Sequence, residues 1–164
     1  MNTDEYRIEI NLAEQSLKLL KGDELLQQYP VSTARNGAGE MIDSECTPRG
    51  QHIIAEKIGE GCALNSVFVG RQETGEIFSQ EMAIQHPQRD WILTRILRLR
   101  GLEAGRNLNG DVDSYARYIY IHGTPDTVDI STPGSHGCIR LRNRDIVELF
   151  DLVDKSTPVN ISEK

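Results

Sequence analysis

The chain has 164 residues, 38% of them hydrophobic and 26% charged, a balance that suits one soluble globular domain over 1–164 with a proper core. Its formal charge of −7 argues against nucleic acid and against anionic membrane surfaces as partners. No run of 18 apolar residues occurs, so no membrane span is expected.

The first residues, Met1 to Glu5, are polar and acidic, unlike the basic and apolar parts of an export signal. They give the expectation of a cytoplasmic protein, or of a periplasmic one if a leader has been removed. Tyr6, Ile8, Ile10 and Leu12 then alternate with Arg7, Glu9 and Asn11, the period of a half-buried strand. A second strand over 17–20, a turn at Lys21-Gly22-Asp23-Glu24 and a returning strand over 25–32 complete a β-meander. Residues 35–50 read as a long polar loop, and short strands are expected over 52–57 and 65–69. Residues 91–99 suit either one face of a helix, through Ile92, Leu93, Ile96 and Leu97, or a buried strand ended by Gly101.

A loop over 101–113 leads to a strand over 115–122, whose alternation puts Tyr118, Tyr120 and His122 on one face. Residues 142–154 form the one clear helix, with Asn143 as its cap and Ile146, Val147, Leu149, Phe150 and Val153 as its apolar stripe. A strand over 158–161 closes the chain. The segment 59–110 carries no recognised chemistry and reads either as packing and loops or as a wall over a site.

The chemistry concentrates near the C-terminus, in Ser135-His136-Gly137-Cys138-Ile139-Arg140-Leu141, with a second His-Gly pair at His122-Gly123. A nucleophilic cysteine needs a base, room for a carbonyl and N–H groups aimed at the oxyanion. Cys138 is the candidate nucleophile and His122 the base. Gly137 admits substrate and, with Cys138, offers backbone N–H groups. His136 either tunes the site or holds the loop, and Ser135 is a loop-structuring hydroxyl rather than a nucleophile. Arg140 faces the same side as Cys138 if the segment is extended, where it suits a substrate carboxylate or an internal salt bridge. Tyr120 and Ser135 join it as candidate substrate-binding residues. His52 and His86 lie far from the motif and fit no metal spacing. Gly134 and Gly137 argue for a carbonyl substrate rather than a closed zinc cage, so no metal or cofactor is expected. The remaining cysteines, Cys46 and Cys62, match no disulfide or metal framework and read as reduced thiols of a reducing compartment.

These residues resemble the L,D-transpeptidase (YkuD) family, whose signature is a histidine, a loop of about this length and Ser/Thr-His-Gly-Cys. The stretches Tyr29-Pro30-Val31-Ser32-Thr33-Ala34 and Thr47-Pro48-Arg49-Gly50 are similar to further family motifs, with His52 where an aromatic is usual. Ile130-Ser131-Thr132-Pro133 departs from the family's Ile-Gly-x-Pro, which puts the shape of the loop over the thiolate in question. The resemblance implies a mainly β sandwich or barrel with one principal helix after Cys138, which tips residues 91–99 towards a strand. It implies that the backbone carbonyl of Gly123 orients His122. It also implies peptidoglycan tetrapeptide stems as substrate, cut before the terminal D-alanine, and acylation by carbapenem-type inhibitors. With no visible export signal, the expected activity is L,D-carboxypeptidase trimming of recycled muropeptides. The alternatives are an exported transpeptidase forming cross-links or exchanging D-amino acids and, remotely, a peptidoglycan-binding module without activity.

Overall fold

The computed structural model describes residues 5–164. The meander expected at the start is present as β1 (Tyr6–Asn11), β2 (Ser16–Lys21) and β3 (Glu24–Pro30). There follow β4 (Gly50–Ile58), β5 (Ser66–Val69), β6 (Gln72–Ile77), a short helix α1 (Gln80–Gln85) and β7 (Ile92–Gly101). A 3-10 turn at Gly110–Val112 precedes β8 (Tyr120–Thr124), β9 (Ile139–Arg142), α2 (Asn143–Leu152) and β10 (Pro158–Ser162). Strands dominate, and α2 is the principal helix.

The strands run β3-β2-β1-β10-β4-β7-β5-β6, with β8 on β7 and β9 on β8. Strand β7 organises this sheet. Ile96 is bridged to Ile58 on one edge and to His122 on the other, so β4 and β8 flank β7. The sheet bends around a core of Ile8, Ile10, Leu17, Leu19, Ile54, Leu97, Leu99, Ile121, Ile139 and Leu141, onto which α2 lays Ile146, Leu149 and Phe150. Each such side chain, fully buried, stabilises the fold by about 1.5–3 kcal/mol relative to exposure. Of residues 91–99, 92–99 are strand, buried on both faces, which removes the polar face that a surface helix would show.

Three expectations need correction. The strand expected over 115–122 begins only at Tyr120. Residues 115–118 form a turn, closed by Tyr118 N–H donating to the Tyr115 carbonyl, and Tyr118 has φ +57°. Asn143 does not cap α2; it is the first helical residue, after Arg142, which makes no side-chain cap. Its amide is turned inward instead: Oδ1 accepts from Thr94 Oγ1 at 2.6 Å and Nδ2 donates to Asn65 Oδ1 at 2.8 Å. These bonds tie the helix start to the bulge in β7, where Thr94 has φ +77°. Finally, 59–110 holds two elements the sequence left unread, β6 and α1. A tight turn with φ +57° at Gly70 and +66° at Arg71 joins β5 to β6, the geometry of a two-residue hairpin of type I′.

Candidate active site

Strands β8 and β9 pair in parallel, with Ile121 opposite Ile139 and His122 opposite Arg140. Alternation then sends Ile121, Ile139 and Leu141 into the core. Tyr120, His122 and Arg140 face the other way, and Cys138, one residue before β9, stands level with Tyr120. All four line one cleft of about 590 Å³, together with Ser135 and His136.

His122 is buried, and its Nδ1 lies 2.6 Å from the Gly123 carbonyl. A carbonyl only accepts, so Nδ1 carries the proton and Nε2 is left with a free lone pair. Burial disfavours the imidazolium and pulls the His122 pKa below the ordinary histidine value. Glycine at 123 is required by packing: a Cβ there would stand 2.4 Å from Asn143 Oδ1 and 2.6 Å from the Leu93 carbonyl. The histidine is therefore held between α2 and β7 through the residue that follows it.

Cys138 Sγ donates to the Tyr118 carbonyl at 3.4 Å and accepts from Tyr120 N–H at 3.3 Å. The residue as a whole keeps some exposure. Its sulfur nevertheless sits deep enough for burial to push the thiol pKa up to about 12, a rise that the Tyr120 N–H and the Arg140 charge oppose. Burial thus favours the neutral forms of both the Cys138 thiol and the His122 imidazole, and a thiolate there needs a stabilising partner.

The loop that carries Cys138 is braced from three sides. Ser135 Oγ donates to the Cys138 carbonyl at 2.6 Å and accepts from Gly137 N–H at 3.2 Å, the loop-structuring role read from sequence. Thr47 Oγ1 donates to the Gly137 carbonyl at 2.9 Å and accepts from Ala34 N–H at 3.0 Å. Ser32 exchanges both backbone bonds with Arg140, and Thr33 accepts from Gly134 and Ser135 N–H. The two upstream stretches thus form the floor under the cysteine loop. Gly137 N–H is bonded to Ser135 Oγ, so of the two N–H groups expected to meet an oxyanion only that of Cys138 lacks an acceptor among the described residues.

His136 is exposed at the cleft mouth and makes no hydrogen bond among the described residues, so it does not hold the loop. Arg140 lines the cleft while its Nη2 meets Asp90 Oδ1 at 3.2 Å, and its buried Nε has no partner. Both readings of Arg140, cleft lining and salt bridge, describe the same side chain. Tyr120 Oη accepts from Arg71 Nη1 at 3.2 Å, at the tip of the β5–β6 hairpin. Segment 59–110 therefore does wall the cleft, through Phe68, Gly70, Arg71, Asp90, Ile92 and Ile96. Ser131 does not line it; its φ is +90° and its N–H bonds the Val31 carbonyl. His52 is buried far from this surface, between Gly50 O at 3.0 Å and Ser114 Oγ at 2.8 Å. Sequence reasoning missed Arg71, Asp90 and Arg117, which reach the cleft from segments with no motif. The cleft is cationic, three arginines against one aspartate, inside an acidic chain.

The sequence model of the L,D-transpeptidase catalytic domain (YkuD) matches residues 5–161. The putative L,D-transpeptidase YkuD of Bacillus licheniformis is 25% identical over 166 residues, covering 98% of this chain and 68% of that protein. Its Bacillus subtilis counterpart is 28% identical over 146 residues, covering 84% of each. Among solved structures, the L,D-transpeptidase LdtMt1 in complex with imipenem superposes with a TM-score of 0.58 at 18% identity over 97% of this chain, a likeness of fold. The chain spans 59% of that protein's length.

Proposed function

The chain belongs to the L,D-transpeptidase (YkuD) catalytic-domain family, and we propose that it is a cysteine acyl-transfer enzyme acting on the peptide stems of peptidoglycan. The observation that carries this reading is His122, with Nδ1 locked on the Gly123 carbonyl and Nε2 free, sharing a cleft with Cys138. The thiol proton leaves the Tyr118 carbonyl for Nε2 as Sγ forms its bond to the substrate carbonyl carbon. The carbonyl electron pair moves to oxygen, where Cys138 N–H receives it. The C–N bond then breaks, the imidazolium proton passes to the departing D-alanine amine, and a thioester remains on Cys138. A water or an amine, deprotonated by His122, releases the acyl group. Arg140 and Arg71 at the walls suit the carboxylates of such a stem.

The finer reading is an L,D-carboxypeptidase that hydrolyses tetrapeptide to tripeptide in a reducing cytoplasm. Two observations favour it. A cleft of about 590 Å³ has the size of a single small-ligand site, and water as acceptor needs no second one. All three cysteines are free thiols, with Cys62 bonded to Glu73 and Cys46 to backbone carbonyls rather than to each other. A second reading, amine transfer giving cross-links or D-amino-acid exchange, draws support from a hollow of about 270 Å³ beyond His136. Asp43 and Glu45 line it and suit an ammonium group.

The test offers pure tetrapeptide with and without excess amine acceptor, read by mass spectrometry. Tripeptide and free D-alanine as the main products in both arms support hydrolysis; dimers dominating with acceptor replace it by transpeptidation. Because LdtMt1 is captured with imipenem, one carbapenem mass is expected on Cys138. A turning-over enzyme that gains no adduct speaks against an acylable thiol.

A further inference from the structure

Arg117 stands in the turn before β8 and lines the same cleft as Cys138. Its guanidinium is half-buried and reaches only neutral acceptors. Nη1 donates to the carbonyls of Gly39 and Glu40, and Nη2 to Ser44 Oγ and, at 2.8 Å, to the Cys46 carbonyl. No carboxylate among the described residues forms an ion pair with it. Burial opposes such a charge and lowers the guanidinium pKa from its usual range. A half-buried cation without a counter-ion costs stability that an anion forming beside it would restore.

The other charges around the sulfur already have partners or lie apart. Asp90 and Arg140 hold each other at 3.2 Å and act on the thiol in opposite senses. Arg71 donates to Tyr120 Oη, His122 is kept neutral by burial, and His136 is exposed. Beyond Arg117 stand Cys46, Asp43 and Glu40, the last paired with Arg49. Arg117 also lies close to the reacting backbone: a Cβ built on Gly137 would be 3.9 Å from its Nη2. That is the residue whose N–H is already committed to Ser135 Oγ.

We propose that Arg117 is the fixed counter-charge for the anion that forms at Cys138, the thiolate first and the tetrahedral oxyanion after it. The inference rests on Cys138 being the nucleophile. Arg117 acts across the Gly137 backbone without touching the sulfur, so it is a positioning residue. Its bonds to the 39–46 loop keep the charge from turning away, which makes it available without reorganisation.

The experiment measures the rate of Cys138 alkylation by iodoacetamide at a fixed pH of about 8, where the rate follows the small thiolate fraction, with mass spectrometry separating Cys138 from Cys46 and Cys62. In Arg117→Gln, which keeps amide donors but loses the charge, the Cys138 rate should fall roughly tenfold, the effect of a thiol pKa about one unit higher. Arg117→Lys should stay near the wild-type rate. Should Arg117→Gln fail to fold, Ser44→Asp pairs the charge in place, since Ser44 Oγ lies 3.4 Å from Nη2; it should slow Cys138 in the same sense. A wild-type rate in both neutralised variants, or an equal fall in Arg117→Lys, overturns the proposal and leaves Arg117 as a loop clamp. Turnover of tetrapeptide by a folded Cys138→Ala protein would instead remove the nucleophile reading itself.

Discussion

At the scale of single residues, the environment of His122 sets the pH behaviour. Burial lowers its pKa, so its base form persists below the ordinary histidine value. The acid limb of kcat/KM should therefore have its midpoint below about pH 6.5, and a limb above that value would mean another group limits activity. Replacing Cys138 by Ala should abolish turnover in a folded protein. His122→Ala should slow acylation by roughly 10²–10⁴-fold, the usual range for a positioned base. His136→Ala should cost less, because that ring has no hydrogen bond and stands at the mouth; the reverse order of effects would reassign the base. Ser131 gives a stability test away from the chemistry. At φ +90° a side chain is strained and glycine is not. Ser131→Gly should gain about 0.5–1 kcal/mol after the extra chain entropy of glycine is deducted, seen as a higher urea midpoint.

At the scale of elements, the site depends on how three of them meet at Gly123. Strand β8 carries His122, α2 begins at Asn143 against it, and β7 bulges at Thr94 to bond Asn143. Gly123→Ala puts a methyl 2.4 Å from Asn143 Oδ1 and 2.6 Å from the Leu93 carbonyl. The Leu93 carbonyl is backbone and the Asn143 amide is pinned by its bonds to Thr94 and Asn65, so the variant should lose about 1–3 kcal/mol and misplace His122. A crystal structure or an activity assay showing an undisturbed site would refute this packing account. The same junction explains what the sequence could and could not tell. The meander was legible because β1 alternates and Lys21-Gly22-Asp23-Glu24 marks a turn, and the cysteine loop because its residue types are chemical. The inward turn of Asn143 was not, since it answers a bulge in β7, almost fifty residues away. Strand β6 was silent because it is mostly exposed and carries no alternation. Arg71, Asp90 and Arg117 reach the cleft through long-range pairing, and no local pattern marks them. Residues 115–118 read as strand from their tyrosines, but Tyr118 has to turn its carbonyl to Sγ.

For the whole molecule, acid stability should follow buried histidines before it follows carboxylates. His52 lies in the middle of the sheet, where β4 pairs with β10 on one edge and β7 on the other. Its burial lowers its pKa from 6.5 to about 4, and His122 is lowered in the same sense. In the unfolded chain both rings take up a proton near pH 6.5. Between that value and the lowered one the unfolded state binds more protons, so stability is complete above about pH 6.5 and falls as pH drops. For His52 alone the loss from pH 7 to 5 is about 2 kcal/mol. The carboxylates held low by their partners, Glu40, Glu76, Glu103 and Asp113, begin to count only below their ordinary values of 4.5, 4.5, 4.5 and 3.8. Asp145, raised by burial, works in the opposite sense as pH falls, so the decline between about pH 6.5 and 4.5 comes from the histidines. His52→Phe keeps an aromatic in the sheet but removes the bonds to Gly50 O and Ser114 Oγ. It should cost about 1–3 kcal/mol at pH 7, from the polar groups left unpaired. It should also flatten the decline between pH 7 and 5. Urea midpoints of both proteins at the two pH values check this, and an equal decline in the two would mean that His52 is not the group that titrates.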